Sequence, residues 1–390
     1  MLLDIFYFHA DSYEYVALAR NILEHFVFSR DLVSFEIIRT PGYPAFLAAA
    51  MFFAGKQNFL YLVDIIQIFF VGCTAYLTNQ IGKIAFDNPQ LGKIAAVIYL
   101  LIPTTLYYAF SGMTETLFTF VFIAAVWCVI RQKNFFSGAL SAFSILIRPI
   151  AVFSPLLFIP MAMRANRRGV FAFLLGFLLI LTPWVARNYY HGFGVSISEI
   201  GSFNLAHGNA AKFYAWQNNI SEAEALEIIE KEAGSEDQST HKRIAEKYIL
   251  QNIPAYALFH IVKTTPFFFA SSIKGVALNL GITKPGDRTA DLLLKNKIQS
   301  VFQKLTKEWL FTLESIARVF LTIFMFFGAW RAWKERKIVP VFLFFMVLLF
   351  AFLTSPWSEV RLRMPFEPYM LLLALSIFFT RSSQVNSGPR

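Results

Sequence analysis

Long apolar stretches constrain this chain more than any other feature of its sequence. FLYLVDIIQIFFVGCTAYLTNQI (59–81) and VPVFLFFMVLLFAFLTS (339–355) approach the roughly 20 residues that a helix needs to cross a bilayer. Phenylalanine alone occurs 45 times, and 56% of the residues are hydrophobic. A water-soluble protein of this composition would expose more apolar surface than water tolerates. The sequence therefore predicts an all-α, polytopic membrane protein.

The basic residues indicate topology. The net charge is +10, but the positive side chains are spread over many loops and form no single surface for nucleic acid. RQK (131–133), RANRR (164–168) and RAWKERK (331–337) fall at alternate connections, and the positive-inside rule places them in the cytoplasm. The remaining polar segments then share the extracytoplasmic face: 1–58, SGMTE (111–115), Arg148-Pro149, 187–309 and SPWSEVRLRMPFEP (355–368).

Several common kinds of site find no support in the sequence. Cys73 and Cys128 both lie in apolar stretches, so neither a disulfide framework nor a cysteine-based metal site is indicated. The six histidines show no zinc-binding spacing, and there is no P-loop or credible GxGxxG motif. No metal ligands are therefore assigned. A sugar donor, if there is one, has to come activated through the membrane.

The polar and apolar segments predict five regions along the chain. A first extracytoplasmic loop with juxtamembrane helices is followed by an N-terminal transmembrane bundle. A larger extracytoplasmic, partly interfacial helical region, C-terminal transmembrane helices and a cytoplasmic tail complete the order. We further expect a transmembrane helix before Met1, because MLLDIFYF resembles the tail of one. In the order just given, the five regions cover residues 1–58, 59–186, 187–309, 310–380 and 381–390.

Local signals refine this organisation. PAFLAAAMFFAG (44–55) is too short to span a membrane and is predicted to lie at the interface. Proline discourages helix at the residue before it, so Arg148-Pro149 should divide 135–163 into two short helices. Ser221 and Glu224 form a capping box that predicts a soluble helix. Whether 256–282 spans the membrane stays open.

Asp11 and Glu14, in HADSYEYVALARNIL (9–23), are the first candidate site residues. They have the spacing of an acidic N-cap and a following glutamate, which explains both without catalysis. Asp11 could equally be a general base that takes the proton of an acceptor hydroxyl during sugar transfer. Nearby, RTPGYP (39–44) forms a rigid turn with an exposed guanidinium and phenol. Arg39 could bind a carboxylate or phosphate, or the turn could merely connect two helices, with Tyr43 in an aromatic belt.

Later polar residues also allow two interpretations. Glu115 either caps the helix that follows it or lines the same cavity as Asp11. Arg148 lies at a proline break between apolar helices, where an unpaired cation is costly, and we favour a phosphate or carboxylate partner. Arg187 ends an apolar stretch and is explained by snorkelling. Arg361 and Arg363, between Glu359 and Glu367, lie in a short loop that is predicted to be extracytoplasmic. Arginines there run against the positive-inside trend, which leaves room for a functional role.

An ordered set of segments resembles a known family. ADSYEYVALARNIL with RTPGYPAFLA, SGMTETLFTF, GALSAFSILIRP, TPWVARNYYHGFG and RLRMPFEPYMLLLA is similar to the GT-C superfamily of integral-membrane glycosyltransferases. The branch is that of bacterial protein O-mannosyltransferase-like and aminoarabinose-transferase-like proteins. The resemblance runs from Asp11 to about Ala374 and implies a GT-C-type bundle of about 9–11 transmembrane helices.

The resemblance implies an inverting hexosyl or pentosyl transfer. The donor would be a polyprenyl-phosphate-linked sugar, and the acceptor a lipid, glycan or protein outside the cytoplasmic membrane. Two residues are the catalytic candidates: Asp11 matches the first-loop acidic residue that acts as base or orients the acceptor, and Glu115 matches a second acidic turn. The remaining substrate-binding candidates are Glu14, Arg39 and Tyr43, together with the arginines expected near the lipid phosphate: Arg148, Arg187, Arg361 and Arg363. A divalent metal ion is left open as a cofactor.

A transporter or flippase of lipid-linked glycans is the alternative. There the same charges would guide a phosphorylated substrate, and charged groups should line a path through the bilayer. The apolar stretches contain few such groups, namely Asp64, Glu314 and Arg318. Because the polar segments gather on the predicted extracytoplasmic face, the sequence favours the enzyme over the transporter.

Overall fold

A computed structural model gives the fold of residues 10–164, 166–233, 238–283, 292, 298–357 and 359–379. Every regular element in these ranges is a helix, and the ranges contain no strand. The prediction of an all-α protein is confirmed. The predicted cytoplasmic tail, and residues 1–9 of the predicted first loop, lie outside the described residues.

Three helices in the described ranges are long and apolar enough to cross a membrane. They are α2 (Gly42–Phe86), α8 (Arg167–Tyr190) and α16 (Trp309–Lys334). A fourth crossing is formed if α3 (Pro89–Leu101) and α4 (Pro103–Ala109), which meet at 61°, count as one bent span. Several membrane-length helices in one chain agree with a polytopic membrane protein.

Shorter apolar helices complete the bundle. These are α5 (Glu115–Ile130), α6 (Asn134–Ile147) and α17 (Ile338–Thr354). Even with them, the described residues supply fewer apolar helices than the 9–11 spans expected. One of the expected spans, 94–110, is a bent pair and not one straight helix, because Pro103 divides it.

One predicted break occurs at the expected place, and a second break lies inside α2. Arg148 has an extended backbone (φ −140°), followed by a 3₁₀ turn and then α7 (Pro155–Ala162), which confirms the break at Arg148-Pro149. In α2, Gly55 has a left-handed backbone (φ 76°) that separates a short first arm from the long apolar part. The short arm corresponds to the predicted juxtamembrane helix.

Small residues allow close approach of α6 and α8. A Cβ atom on Gly138 would lie 1.9 Å from the carbonyl oxygen of Phe173, and one on Gly176 would lie 2.1 Å from that of Phe135. Membrane helices use such positions because packing, rather than water exclusion, drives their association. These two glycine contacts therefore join the first half of α6 to the first half of α8.

Aromatic packing holds the C-terminal loop, which follows α17, on this bundle. Phe366 stacks on Phe350 of α17 with ring centroids 4.5 Å apart and meets Phe122 of α5 edge-on at 5.7 Å. The loop contains a four-residue helix, α18 (Val360–Arg363), and leads into α19 (Glu367–Leu375). The loop is thus anchored beside the N-terminal half of the chain.

A polar helical region connects α8 with α16. Its first helix, α9 (Ile200–Phe203), leads into a short π-helical stretch. The hydroxyl of Ser221 accepts a hydrogen bond from the Glu224 amide at 3.1 Å, which confirms the predicted N-cap. The remaining helices of the region are α10 (Ala211–Asn218), α11 (Glu222–Ala233), α12 (Gln238–Leu250), α13 (Ile253–Phe269), α14 (Ser272–Asn279) and α15 (Ile298–Lys307).

The first helix, α1 (Ala10–His25), packs against α2 and reaches the turn before α5. The hydroxyl of Ser12 lies 3.4 Å from the carbonyl oxygen of Ser111 and 3.3 Å from the sulfur of Met113. The start of α1 is therefore held at the N-terminal end of α5, which is where Glu115 stands.

Candidate functional site

Arg39 is the centre of the first cluster. Its Nη2 atom lies 2.6 Å from Asp11 Oδ1, and its Nε atom lies 2.7 Å from Glu14 Oε2. Asp11 and Glu14 are three residues apart in α1, so their carboxylates share one face of the helix. The planar guanidinium group bridges them and also lies over the Tyr15 ring, 5.4 Å from its centroid.

The turn that carries Arg39 is itself fixed by a buried carboxylate. Glu36 accepts hydrogen bonds from the amides of Ile38 (2.6 Å) and Arg39 (3.0 Å). Arg30 forms ion pairs with both Glu36 and Glu14. These contacts hold the turn that carries Arg39 in one position.

Arg361 reaches the same carboxylate from the C-terminal loop. Its Nη1 atom lies 3.4 Å from Asp11 Oδ2, and its Nε atom lies 3.0 Å from Glu359 Oε2. Burial alone would raise the pKa of Asp11, but the charges and hydrogen bonds of Arg39 and Arg361 outweigh it and lower the pKa. Asp11 is therefore an ionised carboxylate at neutral pH, and its side chain is 29% exposed.

Glu115 and Arg148 form a second ion pair beside the first cluster. Arg148 Nη1 lies 2.7 Å from Glu115 Oε1, and its guanidinium carbon is 5.8 Å from the Phe118 centroid. The Glu115 side chain is 1% exposed, whereas that of Arg148 is 17% exposed. Arg148 is thus the member of the pair that a ligand can reach.

Electrostatic contacts join the two clusters. Arg361 interacts with Glu115 as well as with Asp11 and Glu359. Tyr15 is buried, which raises the pKa of its hydroxyl, and it interacts with charges of both clusters. Of the residues expected to converge on Asp11, the structure therefore brings Glu115, Arg148 and Arg361 together with it, whereas Arg187 contacts other groups.

Tyr43 does not have the exposed position that was expected. It is fully buried, and its ring meets that of Tyr15 edge-on at 5.3 Å. The reason is that the first turn of α2 packs closely against the end of α6. A Cβ atom on Gly42 would lie 2.7 Å from the carbonyl oxygen of Leu146. The expectation of an open phenol at this turn was wrong.

Arg187 binds other groups of the protein and is linked to Asp11 through intermediate residues. Its guanidinium donates to the carbonyl oxygens of Glu36 (3.0 Å) and Phe28 (3.3 Å) and to the side-chain oxygen of Asn188 (2.8 Å). It also lies 4.9 Å from the Trp184 ring. Arg187 therefore holds the 28–36 loop against α8 and supports the first cluster indirectly.

Arg363 belongs to a buried ionic network that the sequence did not reveal. Its side chain is 0% exposed and lies 2.6 Å from Glu367 Oε1. Arg318 of α16 lies 2.9 Å from the same oxygen and 3.1 Å from Glu314 Oε1. The i,i+4 spacing of Glu314 with Arg318 and of Arg363 with Glu367 was the available signal, but spacing does not say that the two pairs meet. Arg363 does not face Asp11 as Arg361 does.

The carboxylates of these clusters are paired with arginines and do not gather as metal ligands. Among the described residues, no group of three or more His, Cys, Asp or Glu side chains could hold a metal ion. A cavity of about 470 Å³ lies at the other end of α5 and is lined by Lys133, Asn134 and Arg168, among others. It is separate from Asp11 and its partners.

Two solved structures are similar to this chain at low sequence identity. No protein-family model and no curated protein matches the chain. ArnT from Cupriavidus metallidurans bound to undecaprenyl phosphate is similar over 96% of this chain and 74% of its own, with 11% identity and a TM-score of 0.42. Its apo structure is similar over 96% and 75%, with 11% identity and a TM-score of 0.40.

Proposed function

We propose that this protein is a membrane glycosyltransferase that moves a sugar from a polyprenyl-phosphate-linked donor to an extracytoplasmic acceptor. The observation that supports this most strongly is the partly exposed Asp11 carboxylate between Arg39 and Arg361, beside the Glu115–Arg148 pair. Such a site offers one carboxylate for a proton and several guanidinium groups for a phosphate. The sequence resemblance to GT-C enzymes supports the same activity.

The proposed reaction is an inverting displacement at the anomeric carbon. The acceptor hydroxyl oxygen forms a bond to that carbon while the bond from the carbon to the phosphate oxygen breaks. The electron pair of the broken bond leaves with the polyprenyl phosphate. Asp11 accepts the hydroxyl proton late, when bond formation has made the hydroxyl strongly acidic, so a carboxylate with a lowered pKa suffices.

The arginines stabilise the charge that develops on the leaving phosphate. Arg148 and Arg361 are partly exposed, and both interact with the Glu115 charge, so both can turn to an incoming phosphate. If Arg361 moves toward the phosphate, Asp11 loses one cationic partner and becomes a stronger base. Glu115 is too buried to touch the substrate, and we assign it a positioning role for Arg148.

The position of the site suits a donor that is anchored in the membrane. Arg39 lies just before α2, and Glu115 and Arg148 lie at ends of the apolar helices α5 and α6. A lipid tail could lie along these helices with its phosphate at their ends. By the positive-inside rule this is the extracytoplasmic side of a cytoplasmic membrane.

The test is a transfer assay in proteoliposomes. Purified protein would be given a series of polyprenyl-phosphate sugars and lipid, glycan or protein acceptors, and sugar transfer would be measured for the wild type and Asp11→Asn. We expect about 10²- to 10⁴-fold slower transfer by Asp11→Asn with donor binding retained, the range for loss of a general base. Asp87→Asn, which makes the same change at the far end of α2, is the matched control.

Three outcomes separate the alternatives. Turnover in Asp11→Asn equal to that of the wild type would disprove the assignment of the base. Movement of the intact lipid-linked glycan across the bilayer, without sugar transfer, would establish the transporter instead. Loss of activity in Asp87→Asn as well would show that the assay reports folding and not chemistry.

A further inference from the structure

The buried network around Arg363 is joined to the candidate site by the short helix α18. We propose that this network, centred on Arg363 and Glu367, positions Arg361 against Asp11, so that Arg363 is a positioning residue for the carboxylate. This inference rests on the proposed function for its kinetic test but not for its structural test.

Arg363 uses all of its donor nitrogens on fixed partners. Besides Glu367, it donates to the Phe267 carbonyl oxygen at 3.0 Å and to the Ser272 hydroxyl at 3.0 Å. Arg318 also donates to the Ser272 hydroxyl. The network thereby ties α18 and α19 to the end of α13, the start of α14 and α16.

Glu314 fixes the other side of the network. It accepts hydrogen bonds from the hydroxyl of Ser271 (2.5 Å) and from the amides of Ser272 and Ile273 (2.9 Å each), which caps the start of α14. Two arginines and two glutamates balance in charge. A buried ionic group of this kind adds little stability compared with apolar packing, but its directional bonds define one position for α18.

Because Arg361 and Arg363 belong to the same short helix, fixing Arg363 also fixes the place of Arg361 at the candidate site. Arg361 and Arg363 are two residues apart, which turns a helix by about 200° and places the two side chains on opposite faces. Arg363 therefore points into the buried network while Arg361 points to Asp11. The Arg361–Asp11 contact, at 3.4 Å, is the longer of the two arginine contacts to that carboxylate, so it is the one more easily lost if α18 shifts.

The structural test measures the distance between α18 and α1 without any enzyme assay. Cysteines would replace Asp11 and Arg361 in a Cys73→Ala/Cys128→Ala background, and a short bis-maleimide would crosslink them in membranes. We expect Arg363→Lys to slow crosslinking about tenfold, since lysine keeps the charge but cannot form the planar fork. Arg331→Lys is the matched control, because Arg331 forms a more exposed i,i+4 pair with Glu335 at the end of α16.

The kinetic test uses the pH profile of sugar transfer. The charged groups that face Asp11 are Arg39, Arg361 and, through them, Glu14, Glu359 and Glu115. If Arg363→Lys displaces Arg361, the acidic limb of the kcat/KM profile moves to higher pH, and kcat falls about 10- to 100-fold. If Arg363→Lys acts by displacing Arg361, it has no further effect once Arg361 has been replaced. The pH profile and kcat of Arg361→Gln/Arg363→Lys should therefore equal those of Arg361→Gln.

The outcomes distinguish positioning from general stability. Unchanged crosslinking and an unchanged pH profile in folded Arg363→Lys would overturn the inference. If that variant does not fold, Glu367→Gln, which weakens the same network, takes its place with the same expected shifts. Suppose that the wild type transfers no sugar, while the protein with cysteines at 11 and 361 crosslinks faster with Arg363 than with Arg363→Lys. That result would refute the proposed function and leave the positioning role intact.

Discussion

Arg39 and Asp11 are joined by a 2.6 Å contact between Nη2 and Oδ1, and the second oxygen of Asp11 faces Arg361 at 3.4 Å. One carboxylate thus lies between the turn that precedes α2 and the C-terminal loop. The pKa of Asp11 is lowered by these two cations against the opposing effect of burial. The charge state of Asp11 therefore depends on contacts that substitutions can remove one at a time.

Removing Arg361 should change the pH dependence of transfer. A group whose pKa is depressed is ionised above that pKa, and its function is lost as the pH falls through it. Arg361→Gln takes away one cation, so the pKa of Asp11 rises and the acidic limb of the kcat/KM profile moves to higher pH. Arg164→Gln, in an exposed loop, should leave the limb unchanged. A limb that moves to lower pH in Arg361→Gln would contradict the assignment of Asp11.

Breaking the Glu115–Arg148 pair should destabilise the protein. Glu115→Gln leaves Arg148 without its countercharge in a largely buried position, which typically costs about 3–5 kcal/mol of unfolding free energy. Thermal unfolding in detergent would measure the loss. Glu335→Gln breaks a more exposed pair with Arg331 and should cost about 0–1 kcal/mol. Equal losses in the two variants would show that Glu115 is not paired as described.

Removing Arg187 should loosen the 28–36 loop. Arg187→Met loses the donors to the carbonyl oxygens of Phe28 and Glu36, so amide hydrogen exchange in that loop should become faster. Since Glu36 fixes the turn of Arg39, sugar transfer should fall as well. Arg187→Met with protected amides in 28–36 but a raised KM for the donor would favour direct phosphate binding by Arg187.

Adding a methyl group at Gly138 should disrupt the α6–α8 contact. The new Cβ would lie 1.9 Å from the backbone oxygen of Phe173, and such overpacking typically costs about 1–3 kcal/mol. Gly72→Ala is the matched control, because nothing lies within 4 Å of a Cβ there. We expect a lower melting temperature for Gly138→Ala only. Equal melting temperatures would argue against this helix contact.

The sequence predicted those parts of the structure that depend on local chemistry. Arg148-Pro149 breaks its helix because proline excludes the preceding residue from helical backbone, and Ser221 caps its helix by a bond to the Glu224 amide. The grouping of Asp11 with Glu115 was also predictable, because sorting loops by charge placed both on one side of the membrane.

The parts that could not be predicted depend on which side chains meet. Glu314 and Arg318 stand out in the sequence only as two of the few charged groups in the apolar stretches, yet they join Glu367 and Arg363 in one buried network. Tyr43 was expected at the surface because it follows a proline–glycine turn, but tertiary packing buries it. Neither outcome is encoded in a local pattern.

The Arg361–Asp11 contact spans 350 residues of sequence. During synthesis, the ribosome adds Arg361 long after Asp11, and the membrane-length helices α2, α8 and α16 are made in between. Until then, Asp11 can pair with Arg39 but not with Arg361. The complete pair of cations around this carboxylate therefore forms only after these helices have been made, and a chain that stalls before α18 carries an incomplete site.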